Sequence, residues 1–323
     1  MTRKPRMAAG LMPLRTPYRL LLIAGAASAL ALALALAPAA ASAASAAAAP
    51  GRYTSIDVPG AADTFAVGVN DSGVVSGFYE DSSGNDHGFL DRDGTFTTIN
   101  VPGAADTVAT VINDLGAVVG YYIDSSGDAH GFVDRGSHFT TVNAPGAGTA
   151  SGQGTFVANM NNLGVIAGFD IDSSGVQHGF IDRDGSFTLI NEPNAGTASG
   201  QGTSVGYIND FGQVTGSYTE SNNNTVAFAG SLGRLTTVSD PLAPPYSTLT
   251  AAINDAGVVA GEYFDSSEVV HGFTELRGVF TPVEDPAGTE GTNVTAISNL
   301  GVIVGFYIDT SGNTHGFELS PAS

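Results

Sequence analysis

The 323-residue chain has no cysteine, no tryptophan and a single lysine, Lys4. Without cysteine there is no disulfide, no thiolate nucleophile and no thiol for a bacterial lipoprotein anchor, so the fold must be held by its core alone. Basic residues are scarce throughout. Beyond residue 50 there are six arginines against 31 acidic residues, a net of −25 with histidine neutral. Such a surface repels phosphate backbones and anionic lipid, so neither nucleic acid nor membrane is an expected partner. Cations, neutral glycans and basic proteins remain. No segment after Gly51 keeps a 3.6-residue apolar period, so helix should be nearly absent. Nor is any run after Pro50 long and apolar enough to cross a bilayer.

The first fifty residues differ in kind. Arg3, Lys4, Arg6, Arg15 and Arg19 precede an apolar run from Leu20 to Leu36, and Ala41-Ser42-Ala43 offers a small-x-small cleavage site. This is the layout of a secretory signal peptide, residues 1–43, cleaved near Ala43 and followed by a linker over 44–51. An uncleaved anchor is the rival reading, but the run is richer in Ala than Leu and ends in a good site. A secreted or periplasmic monomer is expected.

The rest is repetitive. An Asn-Asp-x-Gly-like tetrad begins at Asn70, Asn113, Asn161, Asn209, Asn254 and Ser298, and a His-Gly-Phe-like triad follows each seventeen residues on. A period of this size points to a repeat architecture. Each unit reads as four short strands, as in "TVATVIN", "AVVGYYID", "HGFVD" and "FTTVN", rich in β-branched and aromatic residues with turn residues between them. Asn and Gly of the tetrads should tolerate the positive φ of a tight hairpin.

These features predict an all-β fold, a six-bladed β-propeller of four-stranded antiparallel blades over residues 52–319, with 320–323 a tail. The sixth unit ends "NTHGFELSPAS" after three strands, while the chain after the leader opens with "YTSIDV", a fourth strand lacking its unit. Pairing Tyr53–Val58 with Gly316–Leu319 would complete the last blade and close the ring.

Phe89, Phe132, Phe180, Phe228, Phe273 and Phe317 end the triads, and Phe96, Phe139, Phe187 and Phe280 open fourth strands. Repetition in every unit marks them as core. Five histidines stand at the triad with an acid six residues before each. These are Asp81 with His87, Asp124 with His130, Asp172 with His178, Asp265 with His271 and Asp309 with His315. The two positions should face each other across the hairpin, with imidazole donating to carboxylate. Five equivalent copies cannot converge on one reacting atom, so a structural pair is expected rather than a catalytic one. The loops between them, such as "EDSSGND" and "IDSSGDA", are oxygen-rich. Asp81 with Asp86 and Asp124 with Asp128 are the candidates for Ca²⁺, the one cofactor these turns suggest. None has the alternating acid spacing of an EF-hand.

The triad after "Gly-Tyr/Phe-x-x-Asp-Ser-Ser-Gly", followed by "Phe-Thr-Thr-Ile", resembles the extracellular repeat proteins named for a His-Ala-Phe signature, the HAF repeat. The middle residue here is Gly in five copies, and Val226-Ala227-Phe228 lacks the histidine. The resemblance covers all six units, Arg52 to Leu319. It implies an exported bacterial repeat protein and brings no activity or functional residues with it.

The leading functional expectation is a non-enzymatic binding module that presents one acidic loop face to an extracellular glycan, protein or cation. One alternative is a hydrolase or lyase with its site in a central tunnel. The other is a structural envelope or matrix protein. The near-identity of the copies, and the lack of a Ser-His-Asp order or metal-ligand cluster, speak against an enzyme.

Overall fold

The computed structural model describes residues 51–322, and the leader, with its proposed cleavage site, lies outside them. None of the described residues is helical, and 24 strands carry the fold. They group by antiparallel pairing into six sets of four. The first set is Asp63–Val69, Val75–Glu80, Asp86–Arg92 and Thr95–Ile99. The next four run over residues 106–142, 154–190, 202–237 and 248–283. The sixth is Thr292–Ile297, Ile303–Ile308 and Thr314–Pro321, with Gly51–Ile56 as its fourth member. Single parallel bridges, Ala129 to Gly154 and Gln177 to Gly202, link the second, third and fourth sets into one twelve-stranded sheet. No sheet closes on itself.

The two ends of the chain meet. Tyr53 stands opposite Leu319 and Ile56 opposite Gly316. The pairing reaches Gly51 and Pro321, beyond the expected limits at 52 and 319, and stops at Ile56 rather than Val58. Val58 is already turning, its N–H donating to the Thr64 hydroxyl at 3.1 Å.

The triad phenylalanines form the centre of the packing, all six at 0–2 % exposure. Phe96, Phe139, Phe187 and Phe280 are half-buried and lie over them, with ring centroids 5.1–5.7 Å apart. The glycine before each of five of these phenylalanines is crowded both by the fourth strand of its own unit and by the neighbouring unit. A Cβ on Gly179 would come within 2.8 Å of the Val205 side chain, closer than packed carbons approach.

The tetrads work differently from the expectation. Their glycines do take positive φ, but their asparagines do not. The Asn70 carboxamide oxygen instead accepts the N–H groups of Ser72 and Val74, and its amide donates to the Asn113 carbonyl in the next unit. Asn113, Asn161, Asn209 and Asn254 repeat both contacts. Each asparagine thus shapes its own turn and ties it to the following one.

Candidate functional site

Two ends of the strands carry different chemistry. The "DSSG" loops and the crossovers between units share one end, and the Asn-Asp-x-Gly turns lie at the other.

At the loop end the five triad histidines sit within reach of their acids, Nε2 to Oδ2 being 3.2, 3.7, 3.4, 3.5 and 3.4 Å in chain order. They do not stand directly opposite each other. His87 is paired across the strands with Tyr79, and Asp81 lies in the turn, where its Oδ1 accepts the N–H groups of Ser83 and Asn85. A second partner, thirteen residues on, was not read from the sequence. Nδ1 faces an oxygen of Asn100, Asn143, Asn191, Glu284 and, for His315, Asp57 of the first strand, at 2.8–3.1 Å. Tyr79, Tyr122, Tyr263 and Tyr307 lie against the imidazoles with centroids 5.0–5.3 Å away. The signal for this partner was present as the Asn, Asp or Glu that follows the fourth strand in the five histidine-bearing units.

These contacts shift the titrations. The Asn85 backbone N–H, with His87, holds the Asp81 carboxyl well below the usual range, and Asn313 does the same for Asp309. His271 is raised, chiefly by Glu284. In His87 and His315 burial pulls the value down, but their oxygen partners outweigh it and the net shift is upward. With both nitrogens engaged, the imidazoles are poorly placed to take a proton from a substrate or to ligate a metal.

The Ca²⁺ candidates are not drawn together. Asp81 turns toward His87, whereas Asp86, which precedes His87 in its strand, points to the opposite face and is buried. Asp124 accepts the N–H groups of Ser126 and Asp128, while the Asp128 Oδ1 is buried away from it without a hydrogen-bond partner. Among the described residues no group of three His, Asp or Glu is placed to hold a metal.

At the turn end all six units meet around a cavity of about 60 Å³. Above it runs a circuit of hydrogen bonds. The N–H of Asp71 donates to Asp114, that of Asp114 to Asn162, and that of Asn162 to Asp210. Asp210 donates to Asp255, Asp255 to Asn299, and Asn299 back to Asp71. The Asn162 amide also donates to Asp114 and Asp210, at 2.7 and 3.1 Å. In the cavity lining one position breaks the repeat. Where the other units carry Gly68, Val111, Asn159, Ala252 and Ala296, the fourth carries Tyr207. Its ring packs against the cores of several units, and its phenol bonds to Asn159. Burial, reinforced by Asp114 and Asp71, pushes that phenol up.

Two buried acids also depart from the repeat. Glu262 occupies the position of Phe78, Tyr121, Phe169 and Phe306, is 2 % exposed, and has no hydrogen-bond partner on either oxygen. Burial pushes its carboxyl up to about 8. Asp170 stands where four units have tyrosine beside the histidine. It too is buried without a hydrogen-bond partner, and burial raises it to about 6 against the opposing pull of His178. Both were visible as breaks in the consensus.

No family model and no curated protein matches the chain. Among solved structures it is similar to a fucose-recognising, six-bladed lectin from Aleuria aurantia (12 % identity, 80 % of this chain and 96 % of that one, TM-score 0.48). It is similar also to SapL1 lectin in complex with α-methyl fucoside (11 %, 81 % and 96 %, TM-score 0.48). A third is the β-propeller domain of the Trilobed protease from Pyrococcus furiosus (9 %, 80 % and 95 %, TM-score 0.47). Likeness at this level says nothing of ligand or activity.

Proposed function

We propose that the six four-stranded sets are the blades of a closed propeller, and that the protein is a non-enzymatic, multivalent binding module. Closure is supported by the pairing of Gly51–Ile56 with the last strands and by the circuit that returns from Asn299 to Asp71. The observation that carries the functional reading is the five-fold recurrence at the loop end of one rigid cluster: histidine, carboxylate and a second oxygen side chain, with tyrosine in four of the five.

Such a cluster offers oxygen acceptors and half-exposed ring edges at a fixed spacing. The acceptors suit the hydroxyl donors of a neutral glycan, and the acidic surface disfavours anionic ones. Sites of modest affinity repeated on one face gain by avidity when the ligand is also repeated. An enzyme in a central tunnel is disfavoured by size. A cavity of about 60 Å³ holds only a few waters, and Tyr207 is part of its lining. Export through the leader remains part of the proposal.

Immobilised neutral, acidic and basic glycans probed with the mature chain, with Ca²⁺ and with EDTA, test this reading. Retention on neutral polymeric glycans is expected, weakened when Asp81, Asp124 and Asp309 are changed together to Asn. A folded protein that no neutral glycan retains would sink it.

A further inference from the structure

The turn end, opposite the loops discussed above, has a feature the glycan reading does not use. Folded chains bury large apolar side chains where they can, and contiguous exposed ones mark contact surfaces. Here the third residue of four Asn-Asp-x-Gly-like turns is large, apolar and outward. Leu115 is 79 % exposed, Leu163 72 %, Phe211 73 % and Leu300 67 %. Ser72 and Ala256 fill the other two turns. Because the hydrogen-bond circuit holds the six turns side by side, these side chains form a collar around it, continuous over the second, third and fourth units. A groove of about 370 Å³ lies between two of them, lined by Leu115, Leu163, Ala117 and Met160, with Arg135 at its edge.

Inside the collar are the carboxylates of Asp71, Asp114, Asp210 and Asp255, and none of the six Asn-Asp-x-Gly-like turns contains a basic residue. Arginines at this end, Arg92, Arg135, Arg183 and Arg277, stand at the turns between third and fourth strands. Each carboxylate oxygen can accept more than one hydrogen bond, so the internal circuit leaves acceptor capacity.

We propose that this end docks a polypeptide segment that sets a lysine or arginine over the four aspartates and flanking apolar side chains on the collar, one of them in the Leu115–Leu163 groove. The charge selects the occupant. A second copy placed face to face would bring the same aspartates against each other, and like charges in apposition oppose association. A bilayer surface cannot enter a groove between two turns, whereas one apolar side chain of a peptide can. Anchors in a pocket beside a fitted charge are how small interfaces concentrate their affinity.

The test uses the mature chain and a short labelled peptide of alternating lysine and leucine, followed by fluorescence anisotropy. A lysine–serine peptide and a glutamate–leucine peptide serve as controls. The lysine–leucine peptide should bind at least about tenfold more tightly than either control. The triple variant L115S/L163S/F211S should lose about tenfold, with thermal unfolding unchanged because all three side chains are exposed. D114N/D210N keeps an oxygen for the backbone N–H groups but removes two charges. It should weaken binding and flatten its salt dependence. L189S/L242S, at exposed leucines elsewhere, should bind as the parent does. Equal binding of the lysine–serine peptide, or unchanged binding by the triple variant, overturns the proposal. So does concentration-dependent dimerisation, or adsorption to phosphatidylcholine vesicles, that the triple variant abolishes, since each gives the collar another occupant.

Discussion

The backbone N–H of Asn299, in the last unit, donates to the carboxylate of Asp71, in the first, at 2.7 Å across 228 residues of chain. Two further bonds cross the same seam. The Thr295 hydroxyl donates to the Ala66 carbonyl, and the Thr314 N–H donates to Asp63. The first of these three repeats the bond that joins every other neighbouring pair of units, and the other two have counterparts at Thr110 and Asp86. The amino-terminal strand pairs with the last strand beside the seam. His315 reaches that strand directly, its Nδ1 lying 2.8 Å from Asp57.

Removing residues 51–57 should therefore act far beyond the strand itself. The last unit would lose its outer member and the Asp57 partner of His315, and Phe317 would lose the cover of Tyr53. The truncated chain should unfold at lower temperature and less cooperatively, as read by calorimetry. An unchanged, single sharp transition would mean that the seam holds without it.

Phe132 is fully buried in the second unit and packs against Phe139. Phe132→Ala should cost about 3–5 kcal/mol, the usual range for an aromatic removed from a close-packed core. Phe139→Ala, at a half-buried ring, should cost less. Urea unfolding of the two variants checks the order, and a reversed order would place the core elsewhere.

Glu262 gives a pH dependence of known sign. Its folded value, about 8, lies above its ordinary 4.5, so the folded state holds the proton more tightly. Its favourable contribution is complete below about 4.5 and lost as pH rises to about 8. Glu262→Leu should remove that slope and raise stability at pH 8 by roughly 1–3 kcal/mol, the cost of a buried polar group without partners. Equal stability of parent and variant at pH 5 and pH 8 would show that the carboxyl is solvated.

The raised histidines run the same way. His87, His271 and His315 gain oxygen partners on folding, so their contribution is full below about 6.5 and fades as pH climbs through the folded values. In an NMR titration all three should titrate above the ordinary value. Glu284→Gln should lower His271 and leave His87 where it was.

Tyr207→Ala should enlarge the cavity where the units meet and free the Asn159 amide. The side chain is only partly buried, so the expected loss is about 2–3 kcal/mol, less than that of the fully buried phenylalanines. Tyr207→Phe should lose only the phenol's bond, about 1 kcal/mol. Thermal unfolding separates the two.

Much of this was legible in the order of residues. A period held over six copies, with turn chemistry between short β-branched and aromatic runs, determines strand number, pairing partners and which phenylalanines are buried, because each is a local pattern repeated. The orphan strand after Gly51 announced its partner in the same way. What the sequence could not decide depends on where neighbouring units come to rest. The tetrad asparagine looks like a turn former, and only packing reveals that its amide reaches the next turn. The Asp57 partner of His315, the Tyr207 filling, the unpaired Glu262 and the collar of leucines around four aspartates are likewise relations between distant parts of the chain. The physical reason is distance along the chain: local rules act over a few residues, whereas these contacts join atoms some 45 to 250 positions apart.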